Sequence, residues 1–293
     1  MRYEGIIYRP PSEGGSLIIQ ATVGCPHNRC RFCNMYKEKR FRIRKLGDIL
    51  EDIEEAGRYY DPRSVRTIFL ADGNSAIMRT EQLLRILRRL REVFPGLERV
   101  TSYGASQYLS LKTREEWEEL RAAGLTRLHC GMESGHDPLL LRVNKGTSMR
   151  KHIEGGRAVR AAGIELSMYY MAGLGGREMW EAHALDSARV LNAVDPDFIR
   201  VRTFSPMPDT ELGEDFLAGN FSLQEPRGVL RELRLLVENL EGNGLFLSDH
   251  WLNFADIHGR LPQDKEAMLL SIDRALAAPR EDFRPVGLIA SSL

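Results

Sequence analysis

An α/β fold built on a parallel sheet is predicted by three features of this chain. Short apolar runs alternate with longer amphipathic runs along most of its length. Six such strand–helix pairs follow one another, a pattern that implies parallel strands with helices outside them. Two of the helical stretches stop at glycines, Gly124 and Gly163, a common way to end a helix.

The elements follow in order. Ser16 to Val23 reads as the first strand. Leu46 to Tyr60 places Leu46, Ile49, Leu50, Ile53 and Ala56 at helical spacing. Val65 to Ala71 is the second strand and Thr80 to Val93 the second helix, with Thr80 as its expected N-cap. Arg99 to Tyr103, Thr126 to Met132, Ile164 to Met171 and Phe198 to Phe204 are the remaining strands. Thr113 to Ala123, Met149 to Ala162, Glu178 to Val194 and Ser222 to Leu240 are the helices between and after them. Six units are fewer than the eight of a closed barrel, so an open partial barrel and a doubly wound sheet are the options. The alternation weakens after Asn243-Gly244. Residues 1–242 therefore form the expected α/β domain, and 243–293 a C-terminal extension expected to pack on it.

The 293 residues allow one large domain or two small ones. Hydrophobic residues make up 43% and charged residues 28%, as in an ordinary soluble protein. With 41 basic and 41 acidic residues the formal charge is +0, which disfavours a nucleic-acid partner or an acidic membrane surface. One basic run, Lys37 to Lys45, reads as a solvated loop or as a rim beside an anion site. No stretch approaches the ~18 apolar residues of a membrane span. Met1-Arg2-Tyr3-Glu4 is not followed by the apolar run of a signal peptide, so the expected location is the cytoplasm.

The chemistry is concentrated in Cys25-Pro26-His27-Asn28-Arg29-Cys30-Arg31-Phe32-Cys33. Three of the four cysteines of the chain lie in these nine residues, directly after the first strand. Clustering of this kind points to a metal in a reducing compartment rather than to disulfides. In α/β barrels the carboxyl ends of strands carry the reactive groups. A structural zinc site takes four closed ligands. His27 sits between the first two cysteines and reads as a loop residue before a fourth ligand. Three thiolates on an iron–sulfur cube leave one iron open for another molecule.

This motif resembles the cysteine triad of the radical S-adenosylmethionine (SAM) superfamily, with Phe32 at the family's aromatic position. The first gap is four residues where the family usually has three. The resemblance covers about Ser16 to Leu240 and continues at later strand ends. Asp72-Gly73-Asn74 follows the second strand, where the family places a SAM-amino motif. Gly131-Met132-Glu133-Ser134-Gly135 and Val143-Asn144-Lys145-Gly146 follow the fourth. They are similar to the branch with methylthiotransferases and oxygen-independent coproporphyrinogen oxidase. Ala172-Gly173-Leu174-Gly175-Gly176 is similar to the family's glycine-rich turn. Tyr169 stands where an acidic SAM contact is sometimes found.

The resemblance implies a partial (β/α)6 barrel of the radical SAM type. It also implies a [4Fe–4S] cluster on Cys25, Cys30 and Cys33 that binds SAM and splits it to a 5′-deoxyadenosyl radical. Phe32, Asp72, Gly73, Asn74, Ser106, Glu133, Lys145 and Arg202 are the expected cofactor-binding residues. A small-molecule substrate and an external electron donor such as flavodoxin or ferredoxin are the expected partners. No further cysteine cluster offers a second iron–sulfur centre.

Strand alternation gives an independent argument about the interior. Helix-facing residues of a parallel strand are apolar. Leu128, Cys130 and Met132 then face the helices, as do Leu166, Met168 and Tyr170, and Ile199 and Val201. Arg127, His129, Glu133, Glu165, Ser167, Tyr169, Arg200 and Arg202 face in. A buried guanidinium without a partner is costly. Arg200 or Arg202 is therefore expected to bind a carboxylate or phosphate of substrate or SAM, or else to pair with Glu133 or Glu165. Tyr169, Arg200, Arg202 and His250 are the catalytic candidates. Tyr103, Ser106 and Gln107 end the third strand and are pocket candidates without a specific signal. Ser248-Asp249-His250-Trp251 either covers the barrel mouth or forms a surface turn. Cys130 reads as a buried core thiol, with a hydrogen-donor or fourth-ligand role as the alternative.

Two other function classes remain at this point. The Cys-x4-Cys-x2-Cys run with a distant cysteine matches plant-type [2Fe–2S] spacing, which would make an electron-transfer protein. A zinc-binding structural protein is the other. Cys130 lies far downstream and on the helix-facing phase, which argues against the first.

Overall fold

The structure, a computed structural model, describes residues 1–285 and residue 287. The end of the expected extension, residue 286 and residues 288–293, lies outside them. By backbone contacts the chain divides into two units, one of Met1–Asn28, Met35–Cys130 and Gly155–Leu166, the other of Arg29–Asn34, Gly131–Glu154 and Ser167–Leu293.

In the first unit, β1 (Leu17–Gln20) pairs in parallel with β4 (Thr67–Ala71), β4 with β5 (Arg99–Tyr103), and β5 with the start of β6 (Leu125–Glu133). Helices α1 (Leu46–Tyr59), α2 (Thr80–Val93), α3 (Ser106–Leu109) and α4 (Arg114–Ala123) connect them. The predicted first strand is interrupted at Ala21. Its end, β2 (Thr22–Val23), turns into an antiparallel pair with β3 (Arg42–Ile43) and so closes the cysteine-bearing loop between them.

Bounds of α2 and β5 match the sequence reading, but the cap of α2 does not. Arg79 is the N-cap and makes no side-chain bond. Thr80 is already helical, and its hydroxyl donates to Glu116 Oε1 at 2.6 Å while accepting from Lys112. Partners on a neighbouring helix outcompete the local amide. Helix α4 instead has a full capping box, Thr113 with Glu116, and ends at Gly124 with φ of 115°, a left-handed conformation glycine adopts without a Cβ clash.

An unforeseen buried carboxylate sits in this unit. Glu13, in the turn Pro11–Glu13, is fully buried. It accepts from Ser16 Oγ at 2.6 Å and lies 3.3 Å from His129 Nε2 and 3.4 Å from Arg99. Burial pushes its pKa up, but the His129 and Ser16 hydrogen bonds and the Arg99 charge outweigh that and take it down to about 2. A depressed folded pKa adds stability above the ordinary carboxylate range, and that stability is lost as pH falls toward 2. Glu13→Gln should thus cost about 2 kcal/mol at neutral pH. The gap between variant and wild type should shrink steadily below about pH 4.5. Urea unfolding at about pH 7 and about pH 3 checks this; an equal gap at both removes the ion-pair account.

In the second unit, β7 (Glu165–Ala172) pairs in parallel with β8 (Phe198–Thr203), β8 with β9 (Leu245–Leu247), and β9 antiparallel with β10 (His258–Arg260). Helices α5 (Asp137–Arg142), α6 (Met149–Ala161, which begins here), α7 (Gly176–Val194), α8 (Glu211–Leu217), α9 (Pro226–Glu238) and α10 (Lys265–Ala277) complete it. Strand β8 shows the predicted alternation: Ile199 and Val201 are buried, whereas Arg200 and Arg202 are half-buried. The expected helix from Ser222 starts only at Pro226, whose ring suits the first turn. Among the described residues no helix is long and apolar enough to cross a membrane.

Candidate active site on the cysteine loop and the strand ends

Cys25, Cys30 and Cys33 are free thiols, all half-buried. Cys25 belongs to the first unit, where it follows β2. The loop after β4 leaves no room beside it. A Cβ on Gly73 would sit 3.0 Å from Gly24 O and from Tyr36 Cε2 and 3.1 Å from Cys25 Cβ, so glycine is what lets the loop pack this closely. The neighbouring Asp72 is fully buried. Its Oδ2 accepts from Gly24 N at 3.1 Å and pairs with Lys39 Nζ at 2.9 Å. Burial, then the Asp72 charge, pushes the Tyr36 phenol upward, so it stays protonated. Asp72 Oδ1 and both amide atoms of Asn74 are buried without a protein partner.

This corrects the reading of the basic run. Lys39 reaches the buried Asp72. Arg44 is itself buried, bonding Gln20 O and Asp52 at 2.7 Å each. Two of these cations serve buried carboxylates rather than solvent. A sequence cannot show that, because each partner is met only once the chain has folded.

Ser106 and Cys130 also lie in the first unit, 3.0 Å apart through Oγ and Sγ, both buried. Cys130 is thus a core thiol with a polar neighbour. Tyr103 packs edge-on against Phe69 at 5.1 Å.

Cys30 and Cys33 belong to the second unit, and the segment between them is held firmly. Arg31 donates its amide to Val143 O at 3.0 Å and accepts from Leu212 N at 2.9 Å; its guanidinium pairs with Asp215 at 2.8 Å and Glu211 at 3.1 Å. Phe32 is buried with Leu139, Val143, Leu174, Phe204, Leu212 and Phe221, and both cysteines pack against that cluster. Lys145 Nζ stands 5.7 Å over the Phe32 ring and pairs with Glu133 at 3.0 Å. Glu133 adopts φ of 63°, costly for a residue with a side chain. Its carboxylate folds back over Gly131, where a Cβ would lie 2.3 Å from Glu133 Oε1. Phe32, Glu133 and Lys145, far apart in sequence, are therefore brought together.

Further along this unit, Tyr169 and Arg200 are register partners on β7 and β8. Arg200 lies over the Phe198 ring at 5.9 Å, and its buried Nε has no hydrogen-bond partner; nor has the buried Ser167 Oγ. Glu133 pairs with Lys145, and Glu165 with Arg127 at 2.8 Å, so neither carboxylate is the counter-ion of Arg200 or Arg202. Asn253 grips the β8 backbone on both sides of Arg202. It donates to Val201 O at 2.9 Å and accepts from Thr203 N at 2.8 Å. Burial, then the Arg202 charge, lowers His250 to about 4, so its imidazole is neutral at neutral pH. Ser248 is buried whereas Trp251 is exposed, so the Ser248–Trp251 stretch is part clasp and part surface. Asn253 was missed in the sequence, where a lone asparagine in an irregular tail gives no signal.

A cysteine-rich loop after the first strand of a parallel α/β sheet, with glycine-lined loops after the next strands, defines an enzyme class. The radical SAM superfamily profile matches residues 19–187, more than half of the chain, and the chain belongs to that superfamily. Enzymes of this superfamily use a [4Fe–4S] cluster and SAM, and this chain is one of them.

The chain is 26% identical to 4′-phospho-dehydrooxetanocin synthase of Priestia megaterium over 174 residues, 54% of this chain and 23% of that protein. It is 24% identical to biotin synthase of Frankia alni over 226 residues, 76% of this chain and 59% of that protein. It thus spans less than two thirds of either curated relative. Coproporphyrinogen III oxidase from Escherichia coli, described as a radical SAM enzyme, superposes with a TM-score of 0.56 at 17% identity, covering 76% of this chain and 51% of that one. That likeness shows the fold, the α/β partial barrel the sequence predicts.

Among the described residues no three His, Cys, Asp or Glu side chains, the cysteines included, converge in metal-binding geometry. The fit to the cofactors rests on the donor set. Three free thiols on one loop are soft ligands suited to iron–sulfur clusters. The partnerless atoms of Asp72 and Asn74 are polar groups for a polar ligand.

Proposed function

We propose that Cys25, Cys30 and Cys33 hold the [4Fe–4S] cluster and that the chain abstracts hydrogen from a small, anionic substrate. Held by these three thiolates and fed by an external one-electron donor, such a cluster would supply the reductive chemistry that opens the sulfonium bond of SAM. The protein supplies placement and exclusion. Phe32 and its apolar cluster keep water from the Cys30–Cys33 side of the loop. Asp72, Asn74 and the Glu133–Lys145 pair are the polar groups offered to SAM. Residues 1–242 carry the cluster and SAM loops, and the described part of the extension beyond them shapes the substrate pocket through the Asn253 clasp on β8.

The anionic substrate is supported by one observation above all: the buried, partnerless Arg200 Nε, with a partnerless buried Ser167 on the neighbouring strand. A guanidinium left in that state is stabilised by a carboxylate or phosphate, which its donors fit in a fork. Tyr169 and His250, beside the two arginines, are the candidates to hold or pass a proton.

Anaerobic reconstitution followed by SAM addition tests this reading. Iron and sulfide near four per chain, a cluster spectrum that SAM perturbs, and 5′-deoxyadenosine formed with dithionite are expected. Zinc in place of iron, or a spectrum indifferent to SAM, would overturn it.

A further inference from the structure

Helix α9 buries Val229, Leu230, Leu233, Leu236 and Val237, and among them a carboxylate, Glu232, fully out of solvent. Such a charge is expensive to bury, and an apolar side chain of similar volume often serves stability as well. Every polar neighbour of Glu232 is arranged to offset that cost. Its Oε1 accepts from Tyr170 Oη at 2.7 Å and from the amide of Gly173 at 2.8 Å, while Oε2 accepts from Gln224 Nε2. His183 on α7 stacks on Tyr170 at 4.5 Å and lies 3.5 Å from Oε1. Burial holds His183 down at about 3, so it is neutral. Its Nε2 bonds Met171 O at 3.1 Å, and its Nδ1 pairs with Ser134 Oγ at 2.8 Å.

The backbone is thus gripped on both sides of Ala172, at Met171 O and at Gly173 N. Gly173 then begins the turn that runs into α7, with φ of 83° there and 59° at Gly176. The same buried chain ends on Ser134, next to Glu133. The two loops it ties are the one after β6, which carries the Glu133 assigned above to SAM, and the glycine-rich turn after β7.

We infer that Glu232 is a positioning residue for SAM: from beneath, it fixes the Gly173 turn and, through His183, couples that turn to the Glu133–Ser134 loop. This rests on the reading that the chain binds SAM. Glu232 touches no substrate and takes no part in the chemistry.

The device carries its own signature. The groups facing Glu232 are Tyr170 from β7, Gly173 from the turn, His183 from α7 and Gln224 from the segment before α9. Tyr170 is pushed up by burial and by Glu232, and His183 is held neutral, so neither titrates near neutrality. Burial raises Glu232 itself to about 7, against the pull of its three donors. All three donate, so the ionised form matches them. Protonation removes the charge that strengthens all three bonds and so loosens the Gly173 contact.

The test uses the anaerobically reconstituted full chain and measures SAM affinity by calorimetry between about pH 6 and about pH 8. Wild type should bind more tightly as pH rises through 7. Glu232→Gln should bind about tenfold more weakly at the upper end and lose the pH dependence, since a charge-assisted acceptor is gone. Its iron content should be unchanged. Wild-type affinity and pH profile in Glu232→Gln would overturn the inference, whereas failure of wild type itself to bind SAM would overturn the functional reading.

A second measurement needs neither variant nor cofactor. Amide exchange of the peptide around Gly173 in the wild-type chain should show protection that increases through pH 7, after correction for intrinsic rates. Protection independent of pH would also sink the inference, even if the variant fails to fold.

Discussion

Replacing Cys30 with serine should reduce iron bound after anaerobic reconstitution from about four per chain to near zero, and abolish SAM cleavage. A serine hydroxyl remains protonated at neutral pH, while a thiol yields the thiolate that soft iron requires. The fold should tolerate the change. Cys30 is half-buried at the margin of the Phe32 cluster, and its neighbour Arg31 is anchored by its own amide, carbonyl and guanidinium. Thermal unfolding within a few degrees of wild type, together with lost iron and sulfide, is the expected pair of results. Full iron in Cys30→Ser would remove that residue from the ligand set. Cys130→Ser is the control, because its thiol is buried beside Ser106, and it should keep its iron.

The second large effect is expected at Arg202. Arg202→Met should keep the cluster and lose turnover of the anionic substrate by roughly 10²-fold, the order expected when the guanidinium side of a charge-assisted contact to substrate is removed. A readout exists before that substrate is known. The Arg202 charge helps burial depress His250 to about 4, so removing it should raise the His250 pKa. Inorganic phosphate added to wild type should do the same, by neutralising the guanidinium, and should have no further effect in Arg202→Met. Proton NMR of the His250 ring follows both. A His250 titration that ignores phosphate in wild type would refute an anion subsite at Arg202.

Much of this architecture was legible because it depends on local periodicity. The bounds of α2 and β5 could be read from the spacing of apolar residues alone, as could the burial phase of β8. Pieces of two to seven residues, such as β3, α5 and α8, are too short to show a period. The cysteine loop and the glycines were legible because few residue types can do their work. The rest depends on partners distant in sequence. Thr80 reads as a cap until Glu116 from another helix takes its hydroxyl. Lys39 reads as solvated until a loop brings it to Asp72. Glu232 did leave a trace, a carboxylate on the apolar phase of α9 between Val229 and Leu233. Only its donors on β7 and the following turn give that trace a meaning.

The clasp of Asn253 has a wider consequence. One amide side chain splints the main chain either side of Arg202, so the exit angle of that arginine is set by backbone and by a single distant residue. Trp251, exposed on the same loop, takes no part in that splint. Descendants of this chain can exchange it and so change which molecule is admitted, while the anion anchor stays where it is.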